Sequence, residues 1–269
     1  MNLSFEKYQA SGNDFILINQ YNNNFLLNKK KIGFLCDRNL GVGADGLIII
    51  RNTAKADFEM KFYNPDGSES FCGNGSRCAV HYAASNKISK KNISMFLARN
   101  KYHEAYINKS KVSIKMNDIS NIKKINNDFY IDLESPHYVR ICDDLNNIDF
   151  KKNIEKIKID NNAKYGNFNI NLVQIISKNE INVRTFEKGV EGETLSCGTG
   201  AIASSIAASF KKCKSPLKIN FTGGSMKVTF TKNINIFKNI YLEGSQNFVY
   251  SGKIKIWRNK FFFIFEIEF

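Results

Sequence analysis

Two cysteines in this chain stand in matching glycine turns, Cys72-Gly73-Asn74-Gly75 and Cys197-Gly198-Thr199-Gly200. Each turn ends a strand-like run and opens a small-residue helix, Ser76-Arg77-Cys78-Ala79-Val80 in the first copy and Ala201-Ile202-Ala203-Ser204-Ser205 in the second. A cysteine at a helix N-terminus meets N–H groups with no intrahelical acceptor and the positive end of the helix dipole, and both stabilise a thiolate. Two such thiols, one in each half-chain, suit a proton transfer across one carbon. One acts as base on the first face while the other acts as acid on the opposite face. No Cys-x-x-Cys and no Cys/His pair at zinc-ligand spacing occurs, so neither a redox pair nor a metal site is indicated. Cys36, Cys78, Cys142 and Cys213 lie in apolar or helical surroundings and read as free thiols used in packing.

The elements that must hold these turns are mostly short alternating strands. They read as 15–18, 46–50, 58–63, 112–116, 129–133, 173–176, 181–184 and 227–230, each bounded by turn residues, with a further patterned strand at the N-terminus. Helix patterns cover 28–39, 76–86, 149–157 and 199–212. The second and fourth carry small or apolar residues on more than one face, among them Ala79, Val80, Ala83, Ala84, Ala201, Ile202, Ala203, Ile206, Ala207 and Ala208. A helix without a broad polar side is a buried helix. Strands wrapped around one central helix, twice over, fit both signals. The divide falls near Asn126–Asn127, giving domains 1–126 and 127–256, with the tail 257–269 packing against the first.

With 269 residues, 43% hydrophobic and 13% aromatic, the chain can build two cores. No charged-then-apolar leader and no apolar run long enough to span a bilayer is visible, so a cytoplasmic protein without a membrane partner is expected. The formal charge of +14 raises the question of nucleic acid. The lysines are scattered among Asn and Ile, as in Asn121-Ile122-Lys123-Lys124-Ile125-Asn126, and read as a solvated surface.

Further motifs accompany the cysteine turns: Ala10-Ser11-Gly12-Asn13-Asp14-Phe15, the run from Cys36 to Gly46, Tyr63-Asn64-Pro65-Asp66-Gly67-Ser68-Glu69, Ser135-Pro136-His137, the run from Arg184 to Thr194, and Gly223-Gly224. In this order, over about residues 3 to 256, the series resembles the diaminopimelate epimerases. The resemblance implies an α/β (α+β) fold of two pseudo-symmetric domains, each a mixed, barrel-like sheet around a central helix. It implies a cofactor-independent isomerase that interconverts LL- and meso-2,6-diaminopimelate in lysine and peptidoglycan precursor synthesis, working as a homodimer. It makes Cys72 and Cys197 the acid/base pair. Asn13, Asn64 and Asn169 match substrate-binding asparagines, Gly73-Asn74 and Gly198-Thr199 offer helix-end N–H groups to a substrate carboxylate, and Glu187, Lys188 and His137 match polar residues beside the thiols. The chain departs from the family pattern in having Lys188 where arginine is common, Ser135 in place of an asparagine, and Gly46 in place of a glutamine. Arg38 and Asp45 read as a structural pair at the glycine turn. The acidic residues Asp66, Glu69, Glu191 and Glu193 approach the two thiols in matching fashion. A racemase for another amino acid on the same two-thiol scaffold, a thiol–disulfide protein and a nucleic-acid binder are the competing readings.

Overall fold

The computed structural model describes residues 2–21, 25–89, 92–108, 111–133, 135–256 and 261–262. The chain folds as two compact units, Met1–Ile114 with Gly244–Phe269, and Lys115–Glu243. These bounds differ from the expected divide at Asn126–Asn127. At the C-terminal side the reason is a long ladder: strand Asn247–Ile256 runs antiparallel along Asn2–Ala10, from Asn2↔Lys255 to Gln9↔Asn247, and so belongs to the first unit. At the other boundary Ile119 pairs with Phe237 and Ile122–Ile125 with Asp128–Asp132, which draws this segment into the second. Residues 261–262 pair with 255–256, and the rest of the tail 257–269 lies outside the described residues.

Four helices occur among the described residues: α1 (Lys29–Cys36), α2 (Gly73–Ser85), α3 (Phe150–Tyr165) and α4 (Gly198–Ser209). The expected helix over 149–157 continues to Tyr165 and ends at Gly166, whose φ of 68° is the left-handed conformation that closes a helix. The other three occupy their expected places. All the strands read from alternation are present. Sequence reading missed Ile93–Ala98, Lys101–Asn108, Ile122–Ile125, Pro136–Cys142, Leu217–Phe221, Ile236–Ser245 and Asn247–Ile256, and the short Glu69–Ser70, Gly192–Thr194 and Phe261–Phe262.

Each unit repeats one topology. In the first, the hairpin Asn2–Ala10/Asn13–Asn19 crosses through α1 to Gly46–Arg51, which pairs parallel with Asn13–Asn19. Gly46–Arg51 turns back into Phe58–Tyr63, the short strand Glu69–Ser70 follows, then α2, and Ile93–Ala98 pairs parallel with Phe58–Tyr63. In the second, the hairpin Asp128–Asp132/Pro136–Cys142 crosses through α3 to Asn169–Ser177 in parallel pairing. That strand turns back into Glu180–Glu187, the short Gly192–Thr194 follows, then α4, and Leu217–Phe221 pairs parallel with Glu180–Glu187. Strand pairing within each unit is therefore mixed, and α2 and α4 hold the same place in the two units.

Alternation along the strands sorts the cores. Leu47 and Ile49 pack towards Ile32 and Leu35 of α1, which leaves Ile48 and Ile50 for the opposite face, where Ile48 approaches Gly75 of α2. In the second unit Ile170 and Leu172 pack with Ile154 and Ile157 of α3. Val173 joins Ala201, Ile202, Ile206 and Ala207 of α4 in the other cluster. Helix α4 is buried from Gly198 to Ser209 except at Thr199, so the all-apolar pattern does mark a central helix.

Candidate active site

Cys72 and Cys197 are the N-caps of α2 and α4 and adopt almost the same backbone conformation, φ −130°, ψ 115° and φ −134°, ψ 119°. The extended cap turns each sulfur back over the helix end. There Sγ of Cys72 accepts the Gly75 N–H at 3.3 Å and Sγ of Cys197 accepts the Gly200 N–H at 3.3 Å. The next N–H groups, of Ser76 and Ala201, return to the cysteine carbonyls. Gly73-Asn74 and Gly198-Thr199 thus occupy the first turns, where a helix has no carbonyl of its own to offer their N–H groups. Glycine at the third position is needed for closeness. A Cβ on Gly200 would lie 2.5 Å from Oδ1 of Asn171 and 3.3 Å from Sγ of Cys197. Cys36, Cys78, Cys142 and Cys213, which the sequence reads as packing residues, are free thiols.

Around Cys197 the surroundings are a polar relay. His137, fully buried, approaches Oγ1 of Thr199 with Nε2 at 2.9 Å and Nδ2 of Asn171 with Nδ1 at 2.9 Å. The Thr185 hydroxyl donates to Oδ1 of Asn171 at 2.9 Å, which fixes the Asn171 amide with its N–H towards the ring. Nδ1 therefore accepts, Nε2–H donates to Thr199, and the Thr199 hydroxyl is left to donate to the Cys197 sulfur at 3.5 Å. Burial, reinforced by the charge of Lys188, pushes His137 down to about 3, so the ring is neutral at ordinary pH and keeps this tautomer. Asn169 is locked beside it. Its amide N–H donates to Ser135 Oγ at 2.7 Å, and its Oδ1 accepts the Lys188 N–H at 3.0 Å. Ser135 thus holds Asn169 in place. Glu187 accepts from Thr194 Oγ1 at 2.6 Å.

Around Cys72 the arrangement is different. Asn74, buried one residue past Gly73, donates from Nδ2 to Oδ1 of Asn13 at 2.7 Å, and Asn13 donates to Oδ2 of Asp45 at 2.8 Å. Arg38 joins Asp45 at 2.8 Å, as expected, and also grips Asp14 through two N–H donors at 3.0 and 2.6 Å. Lys7, nearly buried, pairs with Asp14 at 2.8 Å and donates to the Gly43 carbonyl. Burial opposes ionisation of Asp14, but hydrogen bonds from Arg38 and Lys7 outweigh it and hold the carboxyl at about 2. Asn64 is a turn residue with its side chain on Ser68 and Ser70 at 3.0 and 3.3 Å. A Cβ on Gly46 would lie 2.4 Å from the Phe62 ring, so the aromatic fills the room that a side chain there would need.

The acidic residues near both turns are engaged locally. Asp66 accepts from Ser68, Glu69 pairs with Lys61, Glu191 with Lys158, and Glu193 with Arg184 through two contacts at 2.7 and 2.8 Å. Sequence reasoning did not single out Asn171, Thr185 or Lys7. Its available signal for Asn171 was the spacing Asn169-x-Asn171, which puts both amides on one face of a strand. No cluster of three or more metal-ligating side chains occurs among the described residues. No helix among them is long and apolar enough to cross a membrane.

A family model described as diaminopimelate epimerase matches residues 5–117 and 129–249. A protein of Flavobacterium psychrophilum named diaminopimelate epimerase is 41% identical over 253 residues, covering 92% of this chain and 98% of its own. One from Campylobacter jejuni subsp. doylei with the same name is 38% identical over 243 residues, covering 87% and 94%. The fold also resembles the crystal structure of a Bacillus anthracis phenazine biosynthesis protein of the PhzF family. The TM-score there is 0.67 at 14% identity, over 95% of this chain and 100% of that one. The match runs through both cysteine turns and both central helices, and the chain belongs to the diaminopimelate epimerase family.

Proposed function

We propose that this chain interconverts LL- and meso-2,6-diaminopimelate by cofactor-independent proton transfer between Cys72, Cys197 and the substrate α-carbon. The observation that carries the reading is one cap geometry used twice, on two cysteines in topologically equivalent turns. The α-proton of an amino acid is weakly acidic, so its removal needs positive potential where negative charge develops on the carboxylate side. The first-turn N–H groups of Gly73-Asn74 and Gly198-Thr199 supply such potential, as helix N-termini do for anions. Inversion then needs a thiolate on one face and a thiol on the other. After each turnover the two exchange protonation states, and their ionisations are coupled. Asn13, Asn64 and Asn169, with Glu187 and Lys188, bind the rest of the substrate on this reading, and His137 supports Cys197 through Thr199. Assembly as a homodimer, a cytoplasmic location and a place in lysine and peptidoglycan precursor synthesis come from family membership.

Purified, reduced protein given LL-diaminopimelate in deuterium oxide, with no addition, is expected to wash out the α-proton signal while the meso isomer forms. Exchange that begins only on adding pyridoxal phosphate or a metal ion would overturn the mechanism.

A further inference from the structure

Arg77 is fully buried, and no carboxylate stands within ion-pairing distance of it among the described residues. Its Nε and Nη1 have no hydrogen-bond partner. Nη2 donates to Oδ1 of Asn74 at 2.8 Å and reaches Ser11 Oγ at 3.4 Å. The backbone closes over the guanidinium at Gly244, where a Cβ would lie 2.9 Å from Nε and 3.0 Å from Cζ. Burying a charge without a counter-ion is costly, and an apolar side chain of similar volume would fill this space without that cost. The fifth position after the other cap shows the alternative in this same protein, because Ile202 stands there, buried in the α4 core.

Two observations say what the charge is for. Burial opposes the Arg77 charge, and the neighbouring thiols of Cys78 and Cys72 are the titratable groups that favour it. Cys78 is fully buried and burial pushes its thiol far above the usual range, so it stays neutral. Cys72 is half-buried at a helix cap, the environment in which a thiol ionises more readily beside a cation. The second observation is direction. An arginine only donates and an ionised aspartate only accepts. Arg77 at one end and Asp45 at the other therefore fix both amides of the chain Arg77–Asn74–Asn13–Asp45 in one sense.

We propose that Arg77 is a positioning residue of the proton transfer: its guanidinium is a fixed positive charge beneath the Cys72 turn, and it sets the amide direction of Asn74 and Asn13. The proposal rests on reading Cys72 as one of the two acid/base thiols, but its test needs no substrate. Alkylation by iodoacetamide is followed against pH in the ligand-free protein and resolved thiol by thiol by peptide mass spectrometry. In Arg77→Met the Cys72 profile is expected to move to higher pH by about one unit, leaving about tenfold less thiolate at neutral pH, while the Cys197 profile stays. Arg77→Lys keeps the charge and should restore most of the shift. Should Arg77→Met not fold, Arg77→Gln removes the charge while keeping an N–H donor for Asn74, and the same upward shift of Cys72 is expected. A folded variant whose Cys72 profile superimposes on the parent's, or a shift shared equally by Cys197, overturns the proposal. A selective Cys72 shift in a protein that fails to exchange diaminopimelate would instead leave Arg77 in its role and remove the proposed substrate.

Discussion

The two cysteine turns share a backbone and differ in nearly everything beneath it. Sheet register aligns the two floors residue by residue. The pairing that sets His137 opposite Asn169 corresponds to Phe15 opposite Gly46, and the pair Asn171–Thr185 corresponds to Ile48–Phe62. The glycines confirm the alignment, since Gly200 approaches Asn171 where Gly75 approaches Ile48. One floor is a hydrogen-bonded layer and the other is hydrocarbon. The central helices reverse the contrast, with Arg77 in α2 where α4 has Ile202. Two ways of favouring a thiolate at a helix cap thus stand side by side. The first half uses a buried charge, and the second uses donors aimed through Thr199. A helix dipole and one N–H serve both sulfurs alike, so the two floors, with the deeper burial of Cys197, are where their surroundings differ.

The largest expected effect treats the halves as equals. Cys72→Ala and Cys197→Ala should each reduce epimerisation at least on the order of 10²–10⁴-fold, because inversion fails when either acid or base is missing. Cys213→Ala, past the opposite end of α4 from the Cys197 cap, should leave the rate near the parent's. Proton NMR of the isomer ratio measures this. A single alanine variant that epimerises normally would break the two-thiol equivalence.

Acid should separate the halves. The folded pKa of His137, about 3, lies below its usual value of 6.5, so the unfolded chain binds the extra proton first. The stability that neutral His137 contributes is complete above pH 6.5 and is lost as pH falls towards 3, by up to about 1.4 kcal/mol per pH unit. Asp14 in the first unit is also depressed, from 3.8 to about 2, so its contribution disappears only within that lower window. Urea unfolding between pH 7 and 4 should show the first slope, and His137→Gln should flatten it. A slope unchanged in that variant would mean that the relay carries no such linkage.

Legibility in the sequence follows the same physics. Both caps were readable because a Cys-Gly-x-Gly turn before a small-residue run constrains the local chain whatever surrounds it, and the Arg38–Asp45 pair was readable because it lies within one turn. The relay was not. Asn171, Thr185 and His137 meet only through strand register, and nothing local distinguishes Asn171 from a solvent-facing amide. Strand Asn247–Ile256 escaped assignment to the first unit for the same reason, since its partner Asn2–Ala10 is at the other end of the chain. Nothing in the sequence marks Arg77, and only the fold puts Gly244 against it.

The smallest expected effect compares the two glycines. In Gly75→Ala the new methyl would meet Cδ1 of Ile48 at 3.3 Å and Cε of Met60 at 3.5 Å. Both are ends of flexible side chains that can yield by a few tenths of an ångström. The gain in helix propensity, up to about 1 kcal/mol, offsets that adjustment, so stability should change little. In Gly200→Ala the methyl would lie 2.5 Å from Oδ1 of Asn171. That oxygen accepts from Thr185 while the same amide donates to His137, so moving it breaks hydrogen bonds that have no water to replace them. Overpacking of this kind typically costs about 1–3 kcal/mol, and the displaced His137 should also loosen Thr199 beneath the Cys197 sulfur. Thermal unfolding of the two variants, with the alkylation profile of each thiol, measures the difference. Gly200→Ala should lower stability and shift Cys197, whereas Gly75→Ala should do neither. Equal losses in both would mean that the rigid polar floor under Cys197 yields as readily as the hydrocarbon under Cys72.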